Sequence, residues 1–298
     1  EEFLKDYKDP ELYQNFINSW LAEPWEETKL KTSVSLVKDR QTELERLVVP
    51  SWAKLLTGGV DVQEGSLYYT VRAWGDHITS QNIDHGQVLS FGEIEEIMNA
   101  EWYQEDGTTM IVNLALIDSG YQPDDTYEFC ISNGDWAMPC KGASNPMQTH
   151  YRISQINKPG SKADGIRLVM VDGGKYKDMI AVKMKRDNGA DSGSWMVYKD
   201  CDDDFAEQVT SEHKISVRNG KGKVTQRWEK KKSHGDNHYL DAEVYAMAAA
   251  DILGVRRLHM MDFEAGRKKL QSSEPPSQEL RHTPEDSWIQ TEEGWIGG

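Results

Sequence analysis

The chain has 298 residues, of which 38% are hydrophobic, and a formal net charge of −16 at pH 7. This length can bury a substantial core, and we expect one main domain with extensions. No apolar run approaches the roughly eighteen residues that a transmembrane helix needs, so we expect a soluble protein. The three cysteines, Cys130, Cys140 and Cys201, show no C-x-x-C spacing, which argues against a disulfide framework and a zinc site and favours a reducing cytoplasm.

The N-terminal part of the sequence is typical of a connection. The chain begins Glu1-Glu2, without an initiator Met or a secretory leader, so we interpret it as part of a longer protein. Residues 9–27 place apolar side chains at helical spacing up to Pro24, which predicts a connecting helix. Residues 28–54 carry no strong pattern before the motif VVPSW.

Three strand-like runs follow in close order, at 57–63, 67–75 and 77–84. The first two are joined by the turn Glu64-Gly65-Ser66, so we predict an antiparallel meander. Asp61 stands in the middle of the first strand, between Val60 and Val62. An acid at this position is either a residue of a solvated sheet face or a ligand.

A predicted helix around 91–103 leads to an almost unbroken apolar run at 110–120, which is typical of a strand in the middle of a sheet. Asp118 closes this strand, directly before Ser119-Gly120. The acid either begins a turn or belongs to a site. The elements predicted next are a helix at 123–133, a strand at 136–142, a loop to about 164, a strand at 165–174, a helix at 175–186, a strand at 194–198 and a helix at 202–213.

A basic segment interrupts the acidic chain. Residues 214–232 hold eight Lys/Arg and one Glu, which gives +7 and leaves −23 for all other residues. Asn219-Gly220 at its centre predicts a β-hairpin. We expect this hairpin to contact nucleic-acid phosphates, although a solvated edge whose lysines discourage aggregation is the alternative. The candidate phosphate contacts are Arg218, Lys221, Lys223 and Arg227.

The last strong pattern is an Ala-rich helix at 237–254, ended by Gly254. Asp241 lies in its otherwise apolar sequence, where an unpaired carboxylate would be costly to bury. From about 265 onward Ser, Pro, Glu and Gln dominate, so we predict a disordered tail with two late aromatic residues, Trp288 and Trp295.

Asp61, Asp118 and Asp241 are therefore the candidate ligands of a metal centre. Converging carboxylates repel one another unless a cation compensates them, and Mg²⁺ or Mn²⁺ prefers such ligands. Two ions about 4 Å apart can promote in-line hydrolysis of a phosphodiester. Asp172 is better explained as a helix cap, and Asp236 and His238 flank Asp241 and can join the site.

Other chemistry lacks a signature in the sequence. His234 and His238 have the spacing of a zinc pair but no third ligand. Neither a G-x-x-x-x-G-K-[ST] phosphate loop nor a G-x-S-x-G nucleophile motif is present.

The order of these elements resembles the RNase H-like nuclease fold, an α/β fold in which a three-strand antiparallel meander and parallel strands form a mixed sheet flanked by helices. Five motifs narrow the resemblance to the C-terminal half of GpA-type large terminase subunits, the DNA-packaging motors of tailed phages, over about residues 10–255. These motifs are EPWEE (23–27), GGVDVQ (58–63), LALIDSGY (114–121), DDFAEQVTSE (203–212) and NHYLDAEVYAMAAA (237–250).

The resemblance implies a metal-dependent endonuclease that cuts concatemeric double-stranded DNA in the host cytoplasm with two Mg²⁺ or Mn²⁺ ions. It makes Asp61 and Asp118 the first two ligands and Asp241 the third, with Asp236 as an alternative third ligand. It also implies a linker at 1–50 after an ATPase domain of the same full-length chain, a nuclease domain at 51–257 and a flexible tail at 258–298. The implied partners are the terminase small subunit and the portal of the procapsid, which Trp288 and Trp295 of the tail can contact.

Two alternatives stay open at this point. A RuvC-like or transposase-like nuclease of the same fold would use the same acids. A non-catalytic binding module would instead use the acids as surface charge and grip its partner through residues 214–232.

Overall fold

A computed structural model of the chain describes residues 26–121, 123–218, 224–233 and 235–260, with side chains described between 32 and 258 of these ranges. The predicted connecting helix lies outside them, except that Glu26 and Glu27 begin a strand. The predicted tail, with Trp288 and Trp295, also lies outside them. So do Lys221 and Lys223 at the predicted hairpin tip.

The described residues form strands, α-helices and two short 3₁₀ turns. The strands are β1 (Glu26–Lys31), β2 (Val48–Val49), β3 (Leu55–Gln63), β4 (Ser66–Trp74), β5 (Ser80–Val88), β6 (Trp102–Gln104), β7 (Thr109–Met110), β8 (Val112–Asp118), β9 (Ala137–Gly142), β10 (Tyr151–Gln155), β11 (Arg167–Val171), β12 (Trp195–Val197), β13 (Glu212–Arg218) and β14 (Val224–Lys230). The helices are α1 (Val34–Lys38), α2 (Phe91–Asn99), α3 (Pro123–Ser132), α4 (Gly173–Lys183), α5 (Asp203–Val209) and α6 (His238–Ile252), and the 3₁₀ turns are Asp76–Ile78 and Val255–Met260.

The main sheet has eight strands in the order β10-β11-β9-β8-β3-β4-β5-β12. The predicted meander is present, since β3 pairs antiparallel with β4 and β4 with β5. On its other side β3 pairs parallel with β8, and β8 pairs parallel with β9. The expected fold class, a mixed α/β sheet that joins a meander to parallel strands and is flanked by helices, is confirmed.

Four strands lie where the sequence predicted none. Two of them, β2 and β6, pair in a small sheet with β7, and β6 replaces the end of the helix predicted around 91–103, since α2 ends at Asn99. β10 falls in the predicted loop to about 164 and pairs antiparallel with β11 at the edge of the main sheet. Its sequence YRISQ alternates over only three residues, a run too short to indicate a strand, and four of its five residues are exposed. β1 covers the last two residues of the predicted connecting helix and the start of the patternless stretch 28–54. It pairs with β13, which forms a second sheet in the order β1-β13-β14. The predicted domain boundaries stay predictions.

β3 is buried on both faces from Leu55 to Val62. Val60 and Val62 point into the main hydrophobic core, while α6 covers the opposite face. A Cβ atom at Gly59 would lie 1.9 Å from the carbonyl oxygen of Ala242, so only glycine lets the backbone of α6 lie directly on the strand. The alternation of side chains along a strand puts Asp61 on this same face, beside the first turns of α6.

None of the described helices is both long and apolar enough to cross a membrane. The three cysteines are free and buried.

Candidate metal centre and nucleic-acid interface

The three predicted carboxylates gather around the first half of α6. Asp61 of β3 and Asp118 of β8 lie on neighbouring parallel strands, one residue beyond the paired residues Val60 and Ile117. Both side chains contact α6, and Asp241 belongs to the first turn of that helix. The chain therefore brings acids that are far apart in sequence to one edge of the sheet.

Asp61 is only 4% exposed, so its interpretation as a residue of a solvated sheet face is wrong. Its Oδ2 atom accepts a hydrogen bond from Gln63 Nε2 at 2.8 Å and lies 2.8 Å from His238 Nδ1. The hydrogen bond to Asp61 raises the pKa of His238. The imidazole ring stacks on Tyr68, with 4.4 Å between ring centroids, and these contacts fix the direction of the Asp61 carboxylate.

Asp118 lies in an environment that disfavours its charged form. Burial, together with the negative charges of Asp61 and Asp241, raises its pKa to about 6, although hydrogen bonds from the Gly120 N–H and the Tyr245 hydroxyl act in the opposite direction. The Tyr245 hydroxyl lies 3.3 Å from Asp118 Oδ1. The hydrogen bond from the Gly120 N–H shows that Asp118 begins a turn. Asp118 therefore has both predicted roles: it begins a turn, and it lies among the candidate ligands.

Asp241 is held by two donors. Lys177 Nζ lies 3.0 Å from its Oδ1 atom, and Asn237 Nδ2 donates to its Oδ2 atom at 2.8 Å. The same two residues contact Glu212 Oε1, at 2.8 Å and 2.9 Å. Burial opposes the charge of Lys177, but Asp241 and Glu212 outweigh burial and raise its pKa. The sequence analysis missed both Lys177 and Glu212.

Two other acids have different positions. The Asp236 side chain is 67% exposed, and its Oδ1 atom lies 3.9 Å from His238 Nε2. Asp172 caps α4, because its side chain accepts a hydrogen bond from the Lys175 N–H, as predicted. His234, the other half of the rejected zinc pair, lies outside the described residues.

Among the described residues, no three His, Cys, Asp or Glu side chains converge closely enough to make a ready-made metal site. Asp61 and Asp241 are each held by a partner of their own, His238 and Lys177. The donor set nevertheless suits a hard divalent cation, because it consists of carboxylates, and burial together with the charges of Asp61 and Asp241 raises the pKa of Asp118.

Glu243, two residues after Asp241, is a buried carboxylate that the sequence analysis did not identify. It is fully buried and accepts hydrogen bonds on both oxygens. The donors are Thr70 Oγ1 at 2.7 Å, Arg72 Nε at 2.7 Å, Asn82 Nδ2 at 3.1 Å and Trp195 Nε1 at 2.9 Å. The signal that could have found it is Arg72, a charged residue inside a strand that is otherwise apolar.

The basic segment forms the antiparallel pair β13 and β14, as predicted. Its base is fixed to α4 through Asp178, whose carboxylate contacts Lys214 Nζ at 2.6 Å and Trp228 Nε1 at 2.9 Å. Arg218 and Arg227 are exposed, and Arg227 also pairs with Glu229. The first four residues of β14 are exposed as well, so the outer part of the hairpin is available to a partner.

Residues 1–260 match the family model for the terminase large subunit gpA, endonuclease domain. The chain belongs to this family. The match confirms the resemblance found in the sequence and decides against a RuvC-like or transposase-like enzyme.

Two curated relatives are similar to the chain. The large terminase subunit of Enterobacteria phage P21 is 26% identical over 270 residues, which are 83% of this chain and 40% of the relative. That of Escherichia phage lambda is 25% identical over 271 residues, 85% of this chain and 41% of the relative. The chain thus spans about two fifths of the length of these relatives. Among solved structures, the HK97 bacteriophage large terminase matches 83% of this chain and 49% of its own, with 13% identity and a TM-score of 0.39.

Proposed function

We propose that the chain is the divalent-metal-dependent endonuclease domain of a viral DNA-packaging terminase and that it cuts concatemeric double-stranded DNA by phosphodiester hydrolysis with two Mg²⁺ or Mn²⁺ ions. Membership of the gpA endonuclease family supports the reaction class. The observation that carries the proposal is the placement of three carboxylates from three separate elements: Asp61 and Asp118 end neighbouring parallel strands and contact α6, and Asp241 lies in the first turn of that helix. Burial and the charges of the other two acids raise the pKa of Asp118. Perturbed acids of this kind concentrate at functional sites.

Asp61, Asp118 and Asp241 would hold the ions, and Asp236 at the start of α6 would add an outer ligand. The bound ions would supply an activated water and stabilise the leaving oxygen of the phosphodiester.

The chain's own residues orient these ligands. Gln63 and His238 hold Asp61, and Lys177 and Asn237 hold Asp241. Carboxylates that are fixed before the substrate binds need no rearrangement during the reaction, which lowers its barrier. The ring of Tyr68 stacks on one face of His238 and so helps to orient the imidazole that contacts Asp61.

The hairpin of β13 and β14 would hold the DNA. Arg218 and Arg227, together with Lys221 and Lys223 between them in sequence, supply positive charge to an otherwise acidic protein. Contacts to phosphates position a duplex without reading its bases, which suits an enzyme that cuts many sequences. Glu212, the first residue of β13, contacts the Lys177 that holds Asp241, so the base of the hairpin lies beside the proposed metal centre.

Membership of the family supports a proposal about location and partners. We propose that the chain works in the host cytoplasm as part of a full-length subunit with an ATPase domain, and that its partners are the terminase small subunit and the portal of the procapsid.

A plasmid-cleavage assay with Mn²⁺ and without ATP tests the proposal. Wild-type protein should nick or linearise the plasmid. Asp61→Asn removes a ligand charge at constant volume, so it should abolish cleavage while circular dichroism shows a folded chain. Asp84→Asn is the matched control, because Asp84 is an equally buried strand aspartate that contacts Arg46 and Tyr69, and it should still cut. A wild-type chain that binds DNA but never cuts would be a non-catalytic binding module.

A further inference from the structure

Lys177 is a largely buried cation beside the proposed metal centre. Its side chain is 12% exposed, and it reaches from the second turn of α4 to Asp241 of α6 and Glu212 of β13. A lysine is seldom buried unless its charge is paired. Here two carboxylates from different elements pair with it, so its position is specified by the fold and not by its own helix.

The contacts of Lys177 close a ring of four side chains. Lys177 and Asn237 each bridge Asp241 and Glu212, through contacts of 2.8 to 3.0 Å. Both oxygens of Asp241 are therefore engaged, one by Lys177 and one by Asn237. A carboxylate held by two donors from different elements has one orientation, and that orientation depends on Lys177.

We propose that Lys177 is a positioning residue of the metal centre, which holds the Asp241 carboxylate and, as a fixed cation, sets how tightly the centre binds a divalent ion. The proposal rests on the function proposed above. A positive charge 3.0 Å from a ligand oxygen opposes the approach of a second cation to that oxygen. The Glu212 carboxylate also pairs with the Lys177 ammonium and partly neutralises its charge. Lys177 and Glu212 therefore act on metal affinity in opposite directions.

The signs of two substitutions follow from this arrangement. Lys177→Met keeps the length of the side chain but removes the charge, so it should tighten Mn²⁺ binding by roughly tenfold and yet lower the maximal rate of DNA cleavage, because Asp241 loses its orientation. Glu212→Gln removes the competing carboxylate at constant volume, so it should weaken Mn²⁺ binding severalfold. Lys177→Arg keeps the charge and should bind Mn²⁺ more like wild type than Lys177→Met does.

Isothermal titration of the full chain with Mn²⁺, in the absence of DNA, measures these affinities directly. Lys214→Met is the matched control, because Lys214 forms a comparable part-buried ion pair with Asp178 between β13 and α4 and does not contact Asp241. It should lower the melting temperature and leave the Mn²⁺ affinity unchanged.

Opposite shifts in Lys177→Met and Glu212→Gln would support the proposal. It would be overturned if neither variant differed in Mn²⁺ affinity from the Lys214→Met control, or if both shifted in the same direction. If Lys177→Met does not fold, the weaker binding of Glu212→Gln and the retained binding of Lys177→Arg decide the question. A wild-type chain that binds no Mn²⁺ would overturn the proposed function itself, which is a different result from metal binding that is insensitive to Lys177.

Discussion

Helix α6 carries two carboxylates, Asp241 and Glu243, two residues apart and in different surroundings. Glu243 is completely buried and accepts four hydrogen bonds from three strands, including one from the fully buried Arg72. Asp241 is part-exposed, accepts from Lys177 and Asn237, and adds to the negative charge that raises the pKa of Asp118. The fully buried acid, which solvent cannot reach, has a structural role, and the part-exposed acid is accessible to a ligand.

Glu243 and Asp241 also form two different kinds of ion pair, with Arg72 and with Lys177. Arg72 lies over the Trp195 ring at 4.4 Å and contacts Glu243 at 2.7 Å, with both side chains inaccessible to solvent. Breaking such a pair leaves an uncompensated buried charge, which costs more than the intact pair contributes. Lys177 of α4 contacts Asp241 in the first turn of α6, and the Asp241 side chain is 30% exposed, so solvent and a metal ion can reach it. Only the second pair can take part in binding.

The largest expected effect is the loss of stability when Glu243 is changed. Glu243→Gln leaves the charge of Arg72 buried without a counter-charge, so we expect the free energy of unfolding to fall by about 3–5 kcal/mol. Urea denaturation at fixed metal concentration measures it. Glu207→Gln, an exposed position on α5, should change stability by less than about 0.5 kcal/mol. A Glu243→Gln variant with wild-type stability but no Mn²⁺ binding would make Glu243 a ligand and reverse the comparison.

The next effect concerns Asp118. Asp118→Asn removes a carboxylate that is buried beside two like charges, so in EDTA we expect the variant to be more stable than wild type by about 1–2 kcal/mol. Saturating Mn²⁺ should then raise the melting temperature of the wild type by several degrees and leave that of the variant almost unchanged. Differential scanning calorimetry with and without the metal gives both numbers. If Mn²⁺ raised the melting temperature of both proteins equally, Asp118 would not be a ligand of the centre.

The smallest expected effect is on DNA binding by the hairpin of β13 and β14. It tests whether the basic segment binds DNA independently of the acidic centre that is proposed to bind metal. Lys221→Ala/Lys223→Ala should weaken DNA binding and lower the slope of log affinity against log salt by up to about 2, while Mn²⁺ binding stays unchanged. Lys162→Ala/Lys199→Ala removes two exposed lysines that pair with Glu128 and Glu45 and serves as the control with an unchanged slope. An unaltered slope in the hairpin variant would move the DNA path to another face of the domain.

The sequence predicted the parts of the fold that carry a strong local pattern. The meander follows from alternating apolar residues and a Gly-containing turn, and α6 follows from a long Ala-rich run ended by Gly254. Strand β10 could not be predicted, because four of its five residues are exposed and its pairing with β11 is a tertiary property. Strand β1 was missed for a similar reason, since its partner β13 lies about 190 residues later in the chain.

The candidate site could be predicted only in part. Asp61, Asp118 and Asp241 stand out because each interrupts or ends an apolar element. Lys177 does not stand out, because the sequence KYKDMIAVKMK around it suggests an ordinary solvated helix face. Its burial depends on Glu212 and Asp241 from two other elements. The partners of a charged residue are set by the fold, so its role becomes visible only once the fold is known.

The central claim is that Asp61, Asp118 and Asp241 form one divalent-metal centre. Mn²⁺ titration calorimetry on wild type, Asp61→Asn, Asp118→Asn and Asp241→Asn tests it most directly. We predict that wild type binds two ions and that each variant loses at least one ion or roughly tenfold in affinity, because every acid serves the same centre. If all three variants bind Mn²⁺ with the stoichiometry and affinity of wild type, the acids do not form a metal centre and the proposed mechanism is wrong.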